Sequence, residues 1–178
     1  MQDGAKGLKF NTVDQEKEKK NDEMTYQTYY KQCPKEGIAN KYYFGHDYAG
    51  RTSGTAGDKK NISNRYKAKQ EEDRYGDFGP AKLKGSSTWV NNSQEKHPKV
   101  KTKTNGQCAI RGHEQYLIDS FGGARSVNKN FKTAAANAIN SIGPNNSSKK
   151  YYIEMCKSTE AFEVNKSWKI YNGVNYSY

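Results

Sequence analysis

The chain is poor in apolar residues. Hydrophobic side chains make up 33% of its 178 residues, and its mean hydropathy is -1.17. No run approaches the roughly 18–20 apolar residues that a membrane-crossing helix needs, so no membrane span is expected. The opening Met1-Gln2-Asp3-Gly4-Ala5-Lys6 has no apolar stretch of the signal-peptide kind, and ordinary signal-peptide secretion is not expected either. There are three cysteines, Cys33, Cys108 and Cys156. An odd number cannot all pair, and no CxxC spacing is present, which excludes a disulfide scaffold or a zinc knuckle; they read as reduced thiols. The sequence also has no Walker loop, no G-x-S-x-G elbow, no H-E-x-x-H and no Cys/His metal cluster. Its histidines, His46, His97 and His113, are scattered.

Aromatic residues and positive charge are abundant. Fourteen Tyr, six Phe and two Trp argue against a disordered chain, because disordered sequences are poor in aromatics. They imply a small, tyrosine-rich core whose hydroxyls must find partners. The net charge is +11, from 30 Lys+Arg and 19 Asp+Glu. Residues 1–24 carry five Lys and six acids, so the remainder carries 25 basic and 13 acidic residues, a net of +12. The positive field therefore sits on the expected folded part, residues 25–178, and not on a tail. It favours a polyanionic partner, nucleic acid first.

Residues 1–24 read as a charged linker. Thr25–Gln32 reads as a strand by its Thr and Tyr content, and Cys33-Pro34 to Gly37 as a turn. Lys41–Phe44 and Tyr48–Thr52 read as one interrupted strand or two short ones, returning in an antiparallel hairpin. Ser53–Asp58 reads as a flexible loop, and Ile62–Tyr75 as a solvated helix ending at Gly76. Residues 85–107 read as a long polar loop around Trp89. Ala109–Phe121 is the clearest helix, with Ile110, Leu117, Ile118 and Phe121 at helical spacing and Gly122-Gly123 as its stop. Thr133–Asn140 reads as a second short helix, and residues 156–178 as possible extra strands. On loop chemistry alone, Gly50–Gly54 is either a phosphate-wrapping loop or an ordinary one. Glu114 lies beside an apolar stripe, where it is either a ligand for a hard cation or a surface partner of Arg111 at i, i+3.

Several blocks together carry a resemblance. They are Tyr48-Ala49-Gly50-Arg51-Thr52-Ser53-Gly54, Phe78-Gly79-Pro80-Ala81, Ala109-Ile110-Arg111-Gly112-His113-Glu114-Gln115 with Ile118-Asp119, Gly122-Gly123-Ala124 with Ser126, and Asn137-Ala138-Ile139-Asn140 with Ile142 and Pro144-Asn145. In this order, over roughly residues 25–155, the string resembles GIY-YIG (URI-fold) nucleases. More specifically it is similar to the GIY-YIG-type toxin domains at the C-termini of bacterial Rhs and other polymorphic toxins. The resemblance implies an α+β fold, a small central antiparallel sheet flanked by helices. It implies a monomeric, metal-dependent endonuclease using one Mg²⁺ or Mn²⁺ ion, with DNA a more expected substrate than RNA. It also implies delivery by a specialised secretion system to a target-cell cytoplasm, and an acidic immunity protein as partner.

Carried over residue by residue, the resemblance puts the metal on Glu114 and a water-orienting tyrosine at Tyr48. The tyrosine of the first strand falls on Tyr30 or its neighbour Tyr29, or on Tyr43, the phosphate-stabilising arginine on Arg65 with Arg74 behind it, and a supporting asparagine on Asn137. Arg51, Lys82, Lys84, Arg111 and Arg125 are the expected nucleic-acid contacts. The chain departs from the pattern in places: Gly37-Ile38-Ala39 lacks the first motif's tyrosine, Ala49 replaces an aliphatic residue, and no histidine follows Arg65. Two other readings exist. An ADP-ribosyltransferase would use Ser86-Ser87-Thr88 with Glu154 or Glu163. A non-catalytic nucleic-acid-binding module would use Lys and Tyr for backbone and stacking contacts.

Overall fold

The structure is a computed structural model, and it describes residues 23–32, 46–55, 58–67, 78–90 and 96–173. Strands β1 (Glu23–Gln32), β2 (Asp47–Gly54) and β3 (Lys82–Val90) form an antiparallel sheet in the order β2-β1-β3. Helix α1 (Asp58–Lys67) follows β2. The pair β4 (Lys96–His97) and β5 (Val100–Thr104) makes a small hairpin that leads into α2 (Asn105–Ser120), and α3 (Lys149–Ser158) packs against α2. The fold is thus α+β with a small antiparallel sheet and a few helices.

The tyrosine-rich strand is central because it can be buried on both sides. Tyr26, Gln27, Thr28, Tyr29 and Lys31 are all at most 2% exposed. Glycines make room for the rings. Gly50 lies directly across from Tyr29, and a Cβ there would sit 2.4 Å from the ring. Gly106, in the first turn of α2, lies under Tyr26 in the same way. The Tyr26 hydroxyl meets Thr104 Oγ1 at 3.1 Å.

Helix α2 is the element every layer shares. Its residues enter three buried clusters: Ala109 and Ile110 with Tyr26 and Phe162, Leu117 and Ile118 with Ala49 and Ala135, and Cys108 with Val100, Ile142 and Tyr152. A capping box starts it at Asn105, where Thr104 accepts from the Gln107 amide and Gln107 Oε1 accepts from the Thr104 amide. This satisfies two otherwise orphaned donors and begins the helix four residues before the periodicity predicts. Gly122 and Gly123, at φ +102° and +82°, end it.

Other expectations are corrected. Residues 85–90 and 96–107 do not form one long loop. They hold most of β3, then the hairpin, then the helix start. The strand reads as polar because β3 is an edge strand with only β1 beside it. Thr133–Asn140 is not a helix. Its amides bond elsewhere, Ala135 N to Gly123 O and Ala136 N to Asp47 O, both at 2.9 Å. The alanines there are small because they lie buried against α2 and β2. Tertiary bonding overrides their helix propensity. Residues 159–173 add no strand, Gly50–Gly54 is strand and not loop, β1 begins two residues inside the segment read as linker, and α1 begins at Asp58, before Ile62. Residues 68–77, Tyr43 and Cys33 lie outside the described residues. Cys108 and Cys156 are free and buried, and burial pushes their thiols up to about 11 and about 12. No helix among the described residues is long and apolar enough to cross a membrane.

Two predictions follow from α2. A Cβ on Gly112 would lie 2.2 Å from the Tyr152 carbonyl oxygen of α3. Gly112→Ala must push the helices apart, at a cost of about 1–3 kcal/mol. Urea unfolding should show a lower midpoint, and an unchanged midpoint would contradict this packing.

The second concerns pH. His113 stacks on Phe162 at 4.7 Å and bonds Thr28 Oγ1 through Nδ1 at 2.6 Å. Burial pulls its pKa down to about 4, against a hydrogen bond with the Glu163 backbone. Burial lifts Asp119 up to about 6, although Trp168 Nε1, the Tyr171 amide and Gln115 Nε2 all donate to it. Between about pH 4 and 6 the folded chain thus holds an extra proton at Asp119 and lacks one at His113. Stability from Asp119 falls as pH rises through this window, and stability from His113 grows. The two slopes oppose each other. Asp119→Asn leaves the histidine slope alone, so the variant's unfolding free energy should climb more steeply with pH than the parent's. Parallel curves would contradict the assignment.

Candidate active site

On β1, Tyr26 and Thr28 point towards α2, and their register partners Ser53 and Arg51 share that face, as does Ala49. On α2, Glu114 lies one turn from both Ile110 and Ile118, which are buried. Alternation on the strand and the four-residue step on the helix therefore aim Arg51 and Glu114 at each other. Arg51 Nη1 donates to Glu114 Oε2 at 2.5 Å, with side-chain exposures of 37% and 13%. The Ser141 hydroxyl completes a triangle. It accepts from Arg51 Nη1 at 2.6 Å and donates to Glu114 Oε2 at 2.5 Å. Glu114 Oε1 has no protein partner among the described residues.

The pair forms the floor of a cleft of about 440 Å³. Arg51, Arg65, Lys103 and Arg111 line it against the single acid Glu114, a net of +3, with Tyr26 and Tyr48 among the walls. Arg65 reaches the cleft because Asn61 fastens α1 to β2: its amide donates to the Gly54 carbonyl at 3.1 Å, and Arg65 follows one turn later. A groove of about 300 Å³ shares Tyr48, Arg51, Arg111 and Glu114 and runs on past Asn137 to Ser141. The two adjoin at these shared residues, Glu114 among them, and together make one trough.

The segment 137–142 is pinned as the trough's far wall. Asn137 acts as a strand partner for the free edge of β2, accepting from the Ala49 amide and donating to the Ala49 carbonyl, each at 2.9 Å. Buried Gln115 accepts from the Ile142 amide at 2.9 Å and donates to Asn140 Oδ1 at 3.1 Å. Arg111 Nε donates to the Ser141 carbonyl at 2.9 Å, and its guanidinium lies over the Tyr152 ring.

Of the residues singled out by sequence, Tyr48, Arg51, Arg65, Arg111, Glu114 and Asn137 come together here. The i, i+3 partnership of Arg111 with Glu114 does not form; the glutamate pairs instead with Arg51 of β2. Tyr30 is not at the cleft. Its ring packs against Phe121 and carries the ammonium groups of Lys82 and Lys84 at 5.6 and 5.0 Å. Those lysines and Arg125 line neither the cleft nor the groove. Ser86–Thr88 belongs to β3, and neither Glu154 nor Glu163 lines the cleft. Sequence reading missed Ser141, which is 27 residues from Glu114 with no local signal, and Lys103, which lay inside the segment taken as a loop.

A divalent ion needs oxygen ligands. Among the described residues no group of three His, Cys, Asp or Glu side chains exists. One carboxylate with a free oxygen still fits Mg²⁺, which keeps several waters and takes further ligands from a phosphate. No family model, no curated protein and no solved structure matches the chain.

Asn137→Ala should leave the buried Ala49 amide and carbonyl unpaired, at about 1–3 kcal/mol for each stranded group. Unfolding should come at lower denaturant, with faster amide exchange at Ala49. Unchanged exchange there would show that the edge of β2 does not depend on this side chain.

Proposed function

We propose that the chain is a metal-dependent nuclease of the GIY-YIG (URI-fold) kind, hydrolysing phosphodiester bonds, in DNA more readily than in RNA. The observation that carries the reading is the convergence, from four separate elements, of Tyr48, Arg65, Glu114 and the Asn137 segment on one positive trough. A net charge of +3 around one carboxylate recruits an anion before it recruits a cation. A phosphodiester held by Arg51, Arg65, Lys103 and Arg111 has its negative charge matched where it grows in the transition state. Glu114 would hold Mg²⁺ or Mn²⁺, and such an ion when bound neutralises phosphoryl oxygens as a Lewis acid. Ser141 and Arg51 fix the Glu114 rotamer through Oε2, which directs Oε1 to its ligand. Tyr48, whose ring packs on Phe78 at 5.7 Å, orients the attacking water from the cleft wall.

The wider biology belongs to the same proposal. The domain acts as an antibacterial toxin, delivered by a specialised secretion system into a target-cell cytoplasm. An immunity protein with an acidic face neutralises it in the producer, matched to the trough by charge.

The purified protein should degrade plasmid DNA with Mg²⁺ and leave it whole with EDTA, with total RNA as the parallel substrate. Glu114→Gln should cut at least about a hundredfold more slowly, the scale for losing one preorganised electrostatic group, while unfolding at the same denaturant concentration and binding nucleic acid as before. Full cutting by the variant would remove Glu114 from the metal role. Nucleic acid shifted but intact, with or without EDTA, would replace hydrolysis by binding alone.

A further inference from the structure

The trough does not account for all of the positive surface. The β4–β5 hairpin, residues 96–104, reads Lys-His-Pro-Lys-Val-Lys-Thr-Lys-Thr, and no acidic residue occurs between residues 96 and 113. Lys96, Lys99 and Lys101 are exposed, and Lys103 lines the cleft. A second acid-free stretch, residues 141–153, contains the start of α3 with exposed Lys149 and Lys150. The two stretches are packed together. The His97 ring lies 5.6 Å from the Tyr151 ring, and Val100 shares a buried cluster with Cys108, Ile142 and Tyr152. The Lys150 ammonium lies 4.9 Å above the Tyr151 ring. Arg111 connects this surface to the cleft, since it lines the cleft and lies over Tyr152.

We infer that the β4–β5 hairpin and the first turn of α3 form one continuous track for the sugar–phosphate backbone of a nucleic acid, leading away from the cleft at Lys103. This deepens the nuclease reading and rests on it: the track makes the preferred substrate a polymer longer than the cleft. A lysine surface that only kept the chain soluble would carry acids interspersed with its bases. This one carries none over the two stretches, and it is held rigidly. The capping box joins the hairpin to α2 without a linker, so the lysines keep a fixed relation to Glu114. Lysine contacts of this kind carry little sequence information and set affinity and register.

The test measures binding of the full chain to a 40-nucleotide duplex in EDTA across a salt series, with Lys96, Lys99 and Lys101 all changed to Gln. Each phosphate contact contributes about 0.9 to the slope of log K against log salt, so the triple variant should lose about two to three from that slope. Lys149→Gln with Lys150→Gln should lower it further. Cleavage of bis(p-nitrophenyl) phosphate, which is too small to reach the hairpin, should be unchanged in both variants. An unaltered slope would overturn the track while leaving the nuclease reading intact. A parent protein that binds the duplex and hydrolyses nothing, with the slope reduced in the variant, would uphold the track and sink the nuclease reading. Competition by polyglutamate equal to that by DNA, charge for charge, would also overturn the track, since any acidic polymer would then serve.

Discussion

The contact between Arg51 and Glu114 connects the sheet to its central helix, and much of the candidate site follows from it. The guanidinium comes from an edge strand, the carboxylate from the most buried helix, and Ser141 from a segment that pairs with neither by secondary structure. One carboxylate oxygen receives both bonds. A partly exposed ion pair gives modest stability by itself. Its larger effect is geometric, because it selects one rotamer for Glu114 and faces the other oxygen away from its protein partners.

The surroundings make that geometry consequential. Four basic groups against one acid leave the cleft positive, a field that favours an anion over a cation. Under the proposed reading a metal ion would gain a second set of ligands, and relief from the surrounding guanidinium groups, when a phosphate enters. Rigidity comes from the small residues: Gly50 and Gly106 let tyrosine rings lie flat on the backbone, Gly112 lets α3 approach α2, and Ala134–Ala136 let the Asn137 segment settle against β2.

Some of this was legible in the sequence. Strand β1 follows from its Thr and Tyr content, and α2 from its periodicity and the double glycine after it. Glu114, Arg51, Arg111 and Asn137 stand out in blocks that a resemblance connects. What the sequence hid depends on partners far along the chain. Gly85–Val90 looks like a loop until β1 is set beside it, because an edge strand with a glycine and two serines has weak intrinsic preference. Thr133–Asn140 looks helical because alanine favours helices, and no local pattern says that its amides are committed to Gly123 and Asp47. Tyr30 lies on the correct strand but at its far end, beyond the reach of the cleft. Ser141 and Lys103 become visible only when α2 meets the segments on either side of it.

The central claim is that the free oxygen of Glu114 marks where a divalent ion meets a bound phosphodiester. The most direct measurement is Mn²⁺ titration of the isotopically labelled protein, alone and with a non-cleavable phosphorothioate oligonucleotide, followed by paramagnetic broadening of backbone amides. The account predicts weak broadening without the oligonucleotide. With it, broadening should be strong and confined to residues around Glu114, Tyr48–Arg51 and Ser141. Broadening centred elsewhere, or none near Glu114 when the oligonucleotide is bound, would contradict it.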